Sequence, residues 1–105
     1  MSKMKLQTRK ARPPGGELVL YVADATAASI RAQSNLRKLC DEHVPREWKL
    51  RVIDLTKYPE LAAANDIVAI PTLVRTWPTP KRTLIGTLAD AQAVLKALDL
   101  VPANS

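Results

Sequence analysis

Apolar residues come in blocks along this chain, and their spacing changes from one block to the next. "ELVLYVA", from Glu17 to Ala23, is nearly continuous Leu, Val and Tyr without a breaker, the pattern of a strand covered on both faces. In the following "DATAASIRAQSNLRKLCDEH", Ala28, Ala32, Leu36, Leu39 and His43 recur at helical spacing, and Thr26 or Asp24 is available to cap the first turn. "KLRVIDL" predicts a second strand beyond a loop containing Pro45, and the ~25 intervening residues suffice for a parallel crossover. Pro59 suits the first turn of a short helix over "PELAAAN", because a proline there forfeits no intrahelical hydrogen bond. Further on, "IVAIPTLVRTW" predicts an edge strand interrupted by Pro71, and "RTLIGTL" predicts another strand. "DAQAVLKALDL" predicts a closing helix capped by Asp90, with Val94, Leu95 and Leu98 facing inward.

The sum is βαβ followed by a helix, two strands and a helix. That is the α/β thioredoxin-like order, βαβαββα, in a single domain. It sets Pro71 between the second helix and the third strand, where redox members of that fold place a proline beside a reactive Cys-x-x-Cys pair. This chain has Asp24, Ala25, Thr26 and Ala27 where the pair would stand, so thiol exchange has no attacking group there. Its single cysteine, Cys40, lies late in the helix beside Leu39 and reads as a structural thiol. A redox protein working through Cys40 is the alternative reading. His43, the one histidine, reads as a helix-end residue, and no metal site or cofactor is expected. Asp54 closes its strand with no second acid spaced to pair with it, which makes it a loop anchor rather than a general base.

At 105 residues the chain holds one core. Its net charge of +6 resembles a nucleic-acid signal until it is divided: residues 1–16 hold five basic residues and no acid, and the remainder holds 11 basic and 10 acidic residues. The basicity belongs to "MSKMKLQTRKARPPGG", which has little apolar content and ends in a breaker, so residues 1–16 are read as a flexible arm, 17–102 as the domain and 103–105 as a short tail. A solvated tail accounts for the arm, and nucleic acid is not an expected partner. An arm that did grip phosphates would lose affinity steeply with salt. No stretch approaches the ~20 apolar residues that span a bilayer, and no apolar run follows the basic N-terminus, so no membrane association and a cytoplasmic location are expected.

Three blocks then carry a resemblance. "LYVADATAASIRA", "RVIDLTKYPELAAANDIVAIPTLVR" and "PTPKRTLIGTL" are similar, in this order, to the KaiB proteins of the cyanobacterial clock and their prokaryotic relatives, over residues 18–101. The resemblance implies a non-enzymatic regulator that binds the hexameric ATPase KaiC and modulates its phosphorylation and timing cycle, in circadian rhythm or stress adaptation. It further implies fold switching between the thioredoxin-like state and a βαββααβ ground state, and self-association as a homotetramer or homodimer. Carried over by position, it assigns partner contact to Arg75 and Arg82, with Lys81 adding charge, all three expected as a basic patch outside the apolar strand. It assigns the proline loop and switch region to Pro71, Thr72, Gly86 and Thr87, and a core or oligomer contact to Tyr21. The chain departs from the family pattern at Asp24, where a glycine is usual, at Thr87, where an aspartate is usual, and in lacking an acidic C-terminal tail after "LDLVPANS".

Overall fold

Strand β1 (Glu17–Val22) has five of its six residues buried, and the rest of the fold is arranged to cover it. In the computed structural model, residues 15–100 are described; residues 1–14 and 101–105, which hold most of the expected arm and all of the tail, lie outside them. Helix α1 (Ala27–His43) crosses from β1 to β2 (Lys49–Asp54), which runs parallel to β1 with Leu18 opposite Leu50 and Val22 opposite Asp54. A short helix α2 (Glu60–Ala64) leads to β3 (Thr72–Trp77), antiparallel to β1 on its other side. The hairpin partner β4 (Arg82–Ile85) completes a sheet of order β2-β1-β3-β4, and α3 (Ala91–Ala97) closes the domain. The order is the βαβαββα expected from the pattern.

Strand alternation sends Leu18, Leu20, Val22 and Leu73 to one face, where they pack with Ala32, Leu36 and Leu39 of α1 and with Val94, Leu95 and Leu98 at α3. Val19, Tyr21 and Val74 point to the other face and meet Leu55, Leu61, Ala62 and Ile67 around α2. Tyr21 is therefore a core residue of the protomer, 4% exposed, and burial raises its hydroxyl pKa above the ordinary value.

The helix ends follow local chemistry. Thr26 Oγ1 accepts from Ser29 N at 3.2 Å, making Thr26 the cap of α1, and Asp90 Oδ1 accepts from Ala93 N at 3.2 Å to cap α3. Ser29 is fully buried because its hydroxyl in turn accepts from Ala23 N at 3.0 Å. Both α2 and α3 end in the same six-residue closure. Ile67 N donates to Ala62 O at 2.8 Å and Asp66 N to Ala63 O at 3.3 Å; Leu100 N donates to Leu95 O at 2.7 Å and Asp99 N to Lys96 O at 3.1 Å. Asp66 (φ 56°) and Asp99 (φ 57°) hold the left-handed position that glycine usually fills.

Three expectations are corrected. The strand expected to run through Pro71 at an edge begins only at Thr72 and lies inside the sheet between β1 and β4; Pro71, with no N–H to give a ladder, stands just ahead of it. On α1, Ala28, one of the periodic apolar positions, is only half-buried, whereas His43 is exposed at the helix end, in keeping with its reading as a helix-end residue. Gly15 and Gly16, assigned to the arm, pack with the domain: Gly16 O accepts from Lys49 N at 2.9 Å, and both glycines lie so close to the Trp48 ring that a Cβ on Gly15 would come within 2.5 Å of it.

Candidate functional site

β1 and β2 finish at the end of the sheet where β3 begins and β4 ends, so the loops after β1, β2 and β4 and the loop before β3 gather at one end. This is where a thioredoxin-like redox centre would lie. Asp24 takes φ 47° and donates its N–H to Asp54 Oδ1 at 3.0 Å. Aspartate tolerates this left-handed backbone, which explains how it stands where the family pattern has glycine. Asp54 Oδ1 also accepts from Thr56 N at 2.9 Å and Thr56 Oγ1 at 2.6 Å. The Thr56 hydroxyl bond, more than any other contact, lowers the Asp54 pKa. Asp54 thus ties the two loops together as an anchor.

The four expected switch residues are brought together at this end. Gly86 N donates to Pro71 O at 3.0 Å, Thr72 pairs with Ile85, and the Thr72 hydroxyl bonds Ala69 O. The Ile70–Pro71 bond is cis, as are Trp77–Pro78 and Thr79–Pro80. Gly86 takes φ 132°, which requires glycine, and a Cβ there would meet nothing within 4 Å, so the constraint is backbone conformation and not space. Thr87 O accepts from Asn35 Nδ2 at 2.8 Å, joining this loop to α1. Asn35 was not legible as a contact in the sequence, since an asparagine on a helix face is ordinary until the loop lies beside it.

The three basic residues separate. Arg75 was expected outside the sheet with Lys81 and Arg82; it is instead 3% exposed. Its register opposite Leu18 turns it toward α3, where Nη1 donates to Leu98 O at 2.8 Å and Nη2 to Pro80 O at 2.7 Å. Among the described residues, Nε is buried without a partner, and the one carboxylate within ion-pair reach, that of Asp99, is 4.0 Å away and 59% exposed. Arg75 is a clasp between the β3–β4 hairpin and the end of α3. Lys81 and Arg82 are exposed and remain available to a partner.

Cys40 lies thirteen residues along α1 from its start, about 20 Å by helical rise from the loop end of the sheet. Burial is the main cause that pushes its pKa up to about 11, which disfavours the thiolate. It lines a groove of about 430 Å³ with Trp48, Val44 and Leu50. Among the described residues, no cluster of His, Cys, Asp and Glu could hold a metal ion, and no helix is long and apolar enough to cross a membrane.

The fold defines a thioredoxin-like domain. Mitochondrial thioredoxin 3 of Saccharomyces cerevisiae superposes with a TM-score of 0.69 at 16% identity, covering 94% of this chain and 90% of that one. The N-terminal domain of SasA from Synechococcus elongatus superposes at 0.66 with 23% identity, covering 86% and 87%. A KaiB domain family model matches residues 19–100. Over 84 residues, 80% of this chain, the sequence is 43% identical to the circadian clock oscillator protein KaiB of Microcystis aeruginosa, covering 81% of it. It is 44% identical to KaiB of Prochlorococcus marinus strain MIT 9313 over the same share of this chain and 71% of that protein. The chain belongs to the KaiB family.

Proposed function

We propose that this chain is a regulatory binding module that engages a KaiC-like hexameric ATPase in the cytoplasm and modulates its phosphorylation and timing cycle, without catalysis of its own. One observation carries the reading: a KaiB-family chain keeps the thioredoxin-like scaffold while Asp24–Ala27 supplies no thiol at the place where redox chemistry would occur. Lys81 and Arg82 are the contact residues, exposed cations suited to carboxylates on the partner. Arg75 supports them from inside by holding the hairpin.

The partner-binding form is βαβαββα, and a βαββααβ arrangement in a homotetramer or homodimer is the resting form. Two packings of one sequence must lie within a few kcal/mol of each other. Short elements in the second half support this: α2 has five residues, β4 four and α3 seven. Asp66, Leu88 and Asp99 add left-handed backbone at non-glycine residues, Leu88 at φ 64° while buried. The redox reading through Cys40 is disfavoured by its raised pKa and its position.

The test is size-exclusion chromatography with light scattering on the protein alone and mixed for hours with the KaiC-like ATPase of its own source. Slow growth of a larger complex is expected, weakened by Lys81→Ala and Arg82→Ala with circular dichroism unchanged. Absence of a complex in every nucleotide state removes the ATPase assignment. Disulfide reductase activity abolished by Cys40→Ser would establish the redox reading instead.

A further inference from the structure

The chain approaches β3 through a stretch whose backbone, among the described residues, is held only at Ala69 O, by the Thr72 hydroxyl, and at Pro71 O, by Gly86 N. Val68 is 87% exposed and Ile70 40%, and among the described residues their backbone N–H and C=O groups make no hydrogen bond. The β3–β4 register sets Ile85, 54% exposed, opposite Thr72, two residues beyond Ile70. Ile85 lies on the sheet face that α2 covers only around Val19, Tyr21 and Val74. Open backbone flanked by bare apolar side chains is what an added extended segment requires. Nearby charge narrows the occupant. Residues 23–26 and 54–71 hold Asp24, Asp54, Glu60 and Asp66 against Lys57, which is four negative charges to one positive. The occupant is therefore extended, apolar and cationic.

The chain itself contains such a segment. Residues 1–12 interleave Met1, Met4 and Leu6 with Lys3, Lys5, Arg9, Lys10 and Arg12 and hold no acid. They lead to Gly15 and Gly16, which pack on Trp48 ahead of β1, at the opposite end of the sheet from Val68–Ile70. Fourteen residues precede Gly15 and span at most ~50 Å, enough to reach a neighbouring molecule. We propose that residues 1–12 of one copy dock as an extended segment along Val68–Ile70 of a second copy. Donor and acceptor sit at opposite ends of the domain, so the contact is heterologous and runs head to tail. The proposal is independent of the ATPase reading, which uses Lys81 and Arg82.

The test is complementation between two full-length variants. The acceptor variant carries Asp24→Asn, Asp66→Asn and Ile70→Ser; asparagine tolerates the left-handed backbone at both aspartate positions, so the fold is retained. The donor variant carries Lys3→Glu, Lys5→Glu and Arg9→Glu. Light scattering over a concentration series at low salt is expected to show association of the unsubstituted protein that weakens about tenfold in either variant alone and with added salt. Mixing the two variants restores one contact per pair, so heterodimers form. A resting oligomer built through another surface survives both variants and gives no complementation, which would overturn the proposal. So would an unsubstituted protein that stays monomeric at every concentration, with its arm held within one molecule or binding nucleic acid in a salt-sensitive manner.

Discussion

Replacing Arg75 by methionine tests whether a buried cation holds the hairpin to the last helix. The guanidinium is almost wholly removed from water, and the carboxylate of Asp99 is too distant and exposed to neutralise it well. Desolvation alone would make Arg75 a cost, and methionine would then stabilise the protein. Against this stand two short bonds, at 2.8 Å to Leu98 O and 2.7 Å to Pro80 O. Hydrogen bonds involving a charged group contribute about 1.5–3 kcal/mol each, and removing the donor also strands the Leu98 carbonyl, while that of exposed Pro80 can turn to water. Leu98 is fully buried, so water reaches its carbonyl poorly. Allowing for the apolar packing that methionine returns, Arg75→Met should cost about 2–3 kcal/mol, a large share of the 5–15 kcal/mol typical of a domain. Arg75→Lys keeps the charge without the two-pronged fork and should fall between. Arg82→Ala, at an exposed edge, should stay within about 0.5 kcal/mol. Urea titration followed by circular dichroism and Trp fluorescence measures all three. Equal or greater stability of Arg75→Met would refute the clasp and show that desolvation outweighs the two bonds.

Gly16→Ala should destabilise by about 1–3 kcal/mol and shift tryptophan emission, because the new Cβ would lie 2.6 Å from the Trp48 ring; denaturant midpoints and fluorescence read both effects. Asp99→Gly should raise stability by about 0.5–1 kcal/mol in the same titration, since glycine occupies the left-handed position after α3 without strain. Urea midpoints against pH should fall at both extremes for different reasons. Cys40, raised from 9.0 to about 11, contributes stability that is complete below pH 9 and lost as pH climbs toward 11, so Cys40→Ala should flatten the curve from pH 9 to 10, below the range where Tyr21 joins it. Asp54 is lowered from 3.8, so its contribution is present above that value and disappears as pH falls through its folded pKa; Asp54→Asn should remove this acid dependence.

By itself the sequence determined the elements and their order. "ELVLYVA" has too much continuous apolar surface for anything but a covered strand, and β1 lies in the middle of the sheet. The helical spacing of Ala32, Leu36 and Leu39, and the caps at Thr26 and Asp90, are local signals that no distant contact had to supply. Cysteine content was equally plain: the loop at Asp24–Ala27 lacks a thiol whatever the fold does. The family blocks were legible because they are contiguous in the chain.

Tertiary structure alone decided the positions of polar groups. Arg75 reads as exposed in "TLVRTWP", because charge is costly to bury, and only the approach of Leu98 O and Pro80 O from distant segments makes an inward guanidinium tolerable. β3 reads as an edge because of Pro71, yet pairing starts one residue later, so the missing N–H never faces a neighbour. Ser29, Asn35 and the two glycines against Trp48 acquire their roles from atoms far away in sequence or from the particular path of the backbone. Periodicity reports which side of an element is apolar. Which carbonyl or ring meets a given side chain is set by how the elements pack, and a linear pattern carries no record of that.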